Sequence, residues 1–331
     1  MIMRGLHLFL LCASVLMSLC HVSAFASDVL TEQHDAKVLL KKIQQAAQKL
    51  NYSGTFVYQE ANQVRTSRIT HLVDGKNELQ KLEILDGRKR EYMKTNEEIT
   101  CYVPENKTVL IEKRGAQGEF PAIFGMNAAE LDAHYQVRRS DGDRVAGFDC
   151  HVLVLEPKDN FRYGYKLWSE KNTGLLLRVQ TINERNEVVE QISFSQIKIG
   201  DVDKNRVKSS FGDISGWRVE NSSVNEMPVT NWQVKWLPPG FKKTRELRRQ
   251  ISGNASTNTT REVSQIVFSD GLAAISVFIE SFTPQRVERA HQQGAMNIIG
   301  KRQGEYWLTV LGEVPAAAIK QVANSVEYKP K

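Results

Sequence analysis

Hydrophobic and polar residues follow three rhythms along this chain. The first is a nearly unbroken apolar run, Leu6 to Val22, with Arg4 ahead of it and Ala24-Phe25-Ala26 behind. A short apolar core between a basic residue and a small-x-small triplet predicts an export leader, residues 1–26, cut after Ala26. The run is too short for a dependable membrane span. From Asp35 to Leu50 the period becomes 3.6, with Ala36, Leu39, Leu40, Ile43, Ala46, Ala47 and Leu50 recurring at three- and four-residue steps. That predicts an amphipathic helix, ended by the turn residues at Asn51 to Gly54.

The period then falls to two. Thr55 to Gln59, Arg65 to Val73, Glu78 to Leu85, Ile99 to Val103 and Thr108 to Glu112 read as strands, separated by turns such as Asp74-Gly75 and Asp86-Gly87. One helical stretch, Phe124 to Tyr135, carries Asn127 three residues before Glu130 as a capping pair. Strands resume at Cys150 to Leu155, Tyr163 to Trp168, Leu175 to Ile182 and Val188 to Ile199. So many antiparallel strands predict a sheet that curls, with helices over one face. Glycines and Asn221-Ser222-Ser223 punctuate a polar stretch, predicting a linker at 206–225 between units at 27–205 and 226–331. In the second unit, hairpins turn at Asp270-Gly271 and at Arg302-Gln303-Gly304, and Pro315 opens a final helix with Ala316, Ile319, Val322, Ala323 and Val326 on one face. The fold class expected is α+β: a large curled antiparallel sheet with covering helices, then a small antiparallel sheet with one C-terminal helix.

Several strands of the first unit are apolar on one face only. A curled sheet with such a face either packs a core or encloses an apolar cavity. The residues that would line the cavity are Phe56, Tyr58, Leu82, Ile84, Tyr165, Leu167, Leu177, Val179, Ile192 and Phe194.

Charge narrows the partners. The formal net charge is +6, one unit less once Arg4 leaves, with acids and bases interspersed. No basic stripe of the kind that marks nucleic-acid binding stands out. The densest basic run, Arg245, Arg248 and Arg249, lies in the second unit with Trp232 and Trp236, and this pairing of aromatic and arginine residues suits an interface with an acidic partner. After the leader, two cysteines remain, Cys101 and Cys150, each on an apolar strand face. In an oxidising compartment they are a disulfide candidate, closing a ~50-residue loop with about 4 kcal/mol of stabilisation. Two buried free thiols are the alternative. No nucleotide loop, nucleophile elbow or zinc motif occurs, and the histidines are scattered. The chain therefore calls for no catalytic residue, no metal and no cofactor.

Leu50 to Tyr58 (LNYSGTFVY), Leu82 to Gly87 (LEILDG) with Arg90-Glu91, Cys101-Tyr102-Val103-Pro104, Gly147 to Cys150 (GFDC), Tyr163 to Trp168 (YGYKLW) and Trp236 to Phe241 (WLPPGF) together resemble the RseB/MucB family. The resemblance covers nearly the whole mature chain. It implies a LolA/LolB-like half-barrel for the large unit and a partner-binding module for the small one. The implied protein is a periplasmic regulator of an envelope-stress sigma factor. It would bind the periplasmic segment of a membrane-spanning anti-sigma factor and shield that segment from proteolysis. Lipopolysaccharide or another acylated ligand would release it. A homodimer stays open, nucleic acid is not expected, and a LolA-type lipid or lipoprotein carrier is the competing reading.

Overall fold

Helix α1, residues 34–49, buries Ala36, Leu39, Leu40 and Ile43 and leaves Lys41 and Lys49 in solvent, as a 3.6-residue apolar repeat dictates. The computed structural model describes residues 34–96, 98–113, 128–222, 229, 231–252 and 260–329. The leader and the Asn127 capping pair lie outside the described residues.

Two antiparallel meanders follow. The first runs β1 (Tyr52–Glu60), β2 (Gln63–Asp74), β3 (Asn77–Ile84), β4 (Arg90–Thr95), β5 (Glu98–Val103) and β6 (Thr108–Lys113). Helix α2 (Ala128–His134) leads into the second: β7 (Tyr135–Val145), β8 (Phe148–Pro157), β9 (Gly164–Glu170), β10 (Leu176–Ile182) and β11 (Val188–Ile199). Pairing of β1 with β11, Tyr52 opposite Ile199 through Glu60 opposite Glu190, joins the meanders into one sheet. With β12 (Arg218–Ser222) it has twelve strands in the order β12-β6-β5-β4-β3-β2-β1-β11-β10-β9-β8-β7. Helix α1 packs with Leu131 of α2 on Tyr135, Leu153, Leu155 and Leu167. A second core cluster holds Tyr52, Phe56, Ile69, Cys150, Val152, Trp168 and Leu177.

The small unit has β13 (Trp232–Val234), then β14 (Lys242–Ser252), β15 (Thr260–Ser269), β16 (Ala274–Ser281), β17 (Arg289–Gln293), β18 (Met296–Gln303) and β19 (Tyr306–Gly312), closed by α3 (Ala316–Ser325) and β20 (Val326–Tyr328). Six of these strands form the sheet β14-β15-β16-β19-β18-β17, and β13 pairs with β20. Ala318, Ile319, Val322 and Ala323 of α3 are fully buried against Val277, Leu308 and Val310. The expected α+β architecture of a large sheet and a small sheet with a C-terminal helix is the one observed.

Three expectations change. The stretch 206–225, read as a linker, is bound to the large sheet over its described part. Buried Lys81 donates to the Lys208 carbonyl (2.9 Å) and Ser210 Oγ (2.8 Å), and the Glu91 carboxylate accepts from the Ser210 amide. Phe211 stacks on Tyr102 and against Trp217, and β12 then pairs in parallel with β6. Gly/Ser content suggested slack, but three apolar anchors (Val207, Phe211 and Trp217) outweigh it. Strands β4 and β7 were also not anticipated. β4 reads Arg-Glu-Tyr-Met-Lys-Thr, and its inward Glu91 breaks the apolar alternation while pairing with buried Lys81 at 3.3 Å.

Finally, Cys101 and Cys150 are free thiols, not a disulfide. Each does lie in a strand, but β4, β3, β2, β1, β11, β10 and β9 stand between β5 and β8. Alternation along a strand fixes a residue's face and says nothing about which strand neighbours it. Burial pushes both thiols up, Cys150 to about 11, which suppresses the reactive thiolate at neutral pH. Unfolded without reductant, the chain from Ser27 to Lys331 should therefore release two titratable thiols to a thiol reagent. In the folded protein both should react slowly and Cys150 the slower, whereas a Cys101–Cys150 crosslinked peptide in the mass map would contradict the free-thiol assignment.

Candidate functional site

The ten apolar residues gather largely on one face because strand register puts them there. Tyr58 pairs with Ile192, Ile192 with Val179, and Val179 with Leu167, a row across β1, β11, β10 and β9. Phe56 opposite Phe194 makes the next row, which continues through Ser67 to Ile84, with Leu82 opposite Ile69 in the row beyond. Phe56, Leu167 and Leu177 are fully buried, so these three are core. Leu177 lies at a bulge between β9 and β10. Tyr58, Leu82, Ile84, Tyr165, Val179, Ile192 and Phe194 are half-buried, and all but Ile84 pack against the two core clusters.

A cleft of about 840 Å³ is polar instead, bounded by Ser53, Thr70, Arg68, Lys81, Glu83 and Arg206 among others. None of the ten apolar residues lines it. Its cations are largely answered from within: Lys81 by Glu83 and Glu91, Lys198 by Asp201. Among the described residues no group of three or more His, Cys, Asp and Glu is placed to hold a metal ion. His71 is committed to the Leu50 carbonyl (2.7 Å) and Glu78, and His151 meets Arg139 at 3.0 Å.

The five partner candidates separate. Trp232, on β13, sits edge-on to Tyr306 and tilted against Tyr328, both at 5.1 Å. Trp236 is taken up by Phe161 of the large unit, edge to face at 5.0 Å. Arg245 and Arg248 lie on β14, an edge strand of the small sheet, with Arg248 3.7 Å from Glu262. The side chain of Arg249 lies outside the described part.

The densest chemistry is at the seam between the two sheets, and sequence reasoning missed it. Arg162, in the loop between β8 and β9, has a fully buried side chain. Its Nε donates to both Asp159 oxygens (3.1 and 3.0 Å), Nη1 to Asp270 Oδ2 (2.8 Å) and Nη2 to the Pro239 carbonyl. The Tyr135 and Phe241 rings flank it at 5.7 and 5.9 Å. Asp270, also fully buried, accepts with Oδ1 from the amides of Leu272 and Ala273. Nearby, buried Asn297 donates to the Tyr163 hydroxyl at 3.0 Å. Leu272 enters the large unit's core, and Phe161 packs on the small unit's. Gly240 has φ +84° and lies so tightly on His134 that no Cβ fits. The only trace of this in the sequence is Asp270-Gly271, which reads as a hairpin turn; its second role as a counter-ion depends on a residue 108 positions away.

Two family models match the chain: the MucB/RseB N-terminal domain over residues 35–216 and the MucB/RseB C-terminal domain over 226–327. The sigma factor AlgU regulatory protein MucB of Pseudomonas aeruginosa is 28% identical over 302 residues, 89% of this chain and 92% of the relative. The sigma-E factor regulatory protein RseB of Escherichia coli is 22% identical over 88% of this chain and 90% of its own length. Among solved structures, the P. aeruginosa MucA/MucB complex aligns with TM-score 0.72 at 26% identity, and MucB in complex with MucA(peri) with 0.70 at 26%. They cover 90% and 89% of this chain and the full length of the matched chains.

Removing one partner of a buried pair strands the other charge, at a cost of about 3–5 kcal/mol. Arg162→Ala should thus lose about that much stability in urea denaturation. An exposed-pair loss of under about 1 kcal/mol would show that the seam is solvated in solution.

Proposed function

Because the chain belongs to the MucB/RseB family, we propose that it is a periplasmic stress-sensing regulator, exported by its leader. It binds the periplasmic segment of a membrane-spanning anti-sigma factor and shields that segment from regulated proteolysis. It lets go when an acylated, lipopolysaccharide-type ligand occupies the large unit. It performs no catalysis. The observation that carries the reading is the alignment with the MucA/MucB complex, which runs through both sheets rather than one. Relatives that match along nine-tenths of their length are named as sigma-factor regulators, which supports the same role.

The residues divide by chemistry. The reachable apolar rows, Tyr58 with Ile192 and Val179 and Phe194 with Ile84, suit an alkyl chain, since burying each CH₂ is worth about 0.8 kcal/mol. The small unit, residues 226–331, is assigned the partner, with Trp232 as aromatic anchor and Arg245, Arg248 and Arg249 steering an acidic segment. Ligand and partner then communicate across the Arg162 seam. Linkage requires that each weaken the other by the same factor.

Immobilised on beads, the mature protein should retain the cell's own anti-sigma periplasmic segment. Recovery of lipoproteins in its place would favour the carrier reading. Arg245→Ala with Arg248→Ala should weaken the segment's binding by up to about 2 kcal/mol and flatten its salt dependence; an unchanged salt slope would remove these arginines from the interface. Lengthening an acyl ligand by four carbons should tighten it by up to ~3 kcal/mol. Affinity that is flat with chain length would mean that the apolar rows stay closed.

A further inference from the structure

Away from Arg162, the same seam holds carboxylates with no ion-pair partner among the described residues. Glu60, the buried last residue of β1, lies directly opposite Glu190 of β11. The tip of the β17–β18 hairpin rests on Glu60: Gln293 Nε2 donates to its Oε2 at 3.5 Å, and Gly294, at φ +54°, leaves no room there for a Cβ. Glu313, just past β19, adds a third carboxyl from the small unit. Facing Glu190 are therefore Glu60 and the Tyr58 hydroxyl from β1, Thr181 from β10, Tyr165 from β9, Tyr163 just before it, and Glu313. The nearest cation by register, Arg65 of β2 opposite Tyr58, is exposed and donates to Gln63 instead. Like charges directly opposite on one sheet face repel.

We propose that this cluster makes the contact between the two sheets acid-tightened: a proton on Glu190 lets the small unit seat on the large one, and its loss loosens them. The device lies beyond the partner-binding role and does not depend on it. Burial first, then the carboxylates of Glu313 and Glu60, hold the Glu190 carboxyl up at about 7. An acid with a raised folded pKa binds more protons folded than unfolded between the two values, so the contact weakens as pH climbs from 4.5 towards 7 and levels off above. Register also places Glu190 in the row of Thr181 and Tyr165, next to the row of Tyr58, Ile192 and Val179. A loosened seam thus exposes these half-buried rows further.

The test uses the full mature chain with a donor and an acceptor dye, one on each unit, and reads transfer efficiency between pH 5 and 8.5. The wild type should show efficiency falling as pH rises from 5 towards 7 and levelling off above. Glu190→Gln should stay at the high-efficiency value across the range. Glu313→Gln, altered at an exposed position, should move the midpoint down by half a pH unit or more, and it decides the matter if the first variant does not fold. No transition in the wild type, or one that is unchanged in the variants that fold, overturns the proposal.

Discussion

One guanidinium holds this molecule in its working shape. Arg162 is sealed from water, and its donors are answered by Asp159 within its own loop and by Asp270 and the Pro239 carbonyl from the small unit, with the Tyr135 and Phe241 rings close by. A buried charge tolerates no partial arrangement, because each donor left unpaired costs its full desolvation penalty, more than the net worth of the bond it lost. The two sheets are consequently held at one relative position or released altogether. The apolar contacts around the pair, Leu272 into one core and Phe161 onto the other, add area but do not select a geometry. A hydrogen-bonded fork does.

From that fixed seam the remaining features take their places. The apolar rows of the large sheet run towards it, and the row nearest the small unit changes from tyrosine and isoleucine to paired glutamates. Carboxylates are poor core residues, and here Glu60 accepts from Gln293 of the other unit's hairpin. The aromatic and basic residues of the small unit sit elsewhere, on β13 and the edge strand β14. Under the proposed function, ligand and partner would meet distinct surfaces that border the same seam.

The sequence made some of this legible. Local rhythm was enough for α1, α3 and most strands, since Leu39, Leu40 and Ile43 or Ile319, Val322 and Ala323 each report burial through spacing alone. It was enough for the apolar face too, because alternation along β1, β10 and β11 carries over into register. What stayed hidden was pairing at a distance. Arg162 reads as an ordinary loop arginine and Asp270 as a turn residue until the chain brings them within 2.8 Å. Cys101 and Cys150 look like a pair only while their strands are unplaced. Glu91 and Lys81 disguised one strand and turned an apparent linker into a clasp, because a satisfied buried ion pair looks polar in one dimension and is core in three.

The join between the two meanders has a cost in time. Every other neighbouring pair within them links strands consecutive in sequence, so each can zip as soon as its turn is made. The β1–β11 ladder must wait for residues 190–199 to come back to residues 52–60. Non-local pairings of this kind slow folding, because loop entropy is lost before contacts compensate for it. Until then β1 and β11 are both open edges in the middle of what will be the sheet, each with half its backbone groups unclaimed, the condition under which strands recruit the wrong neighbour. In a chain that emerges N-terminus first, β1 carries that exposure for longest. A helper that covers an extended apolar strand would act on this protein at Tyr52–Glu60, before either of its sheets is complete.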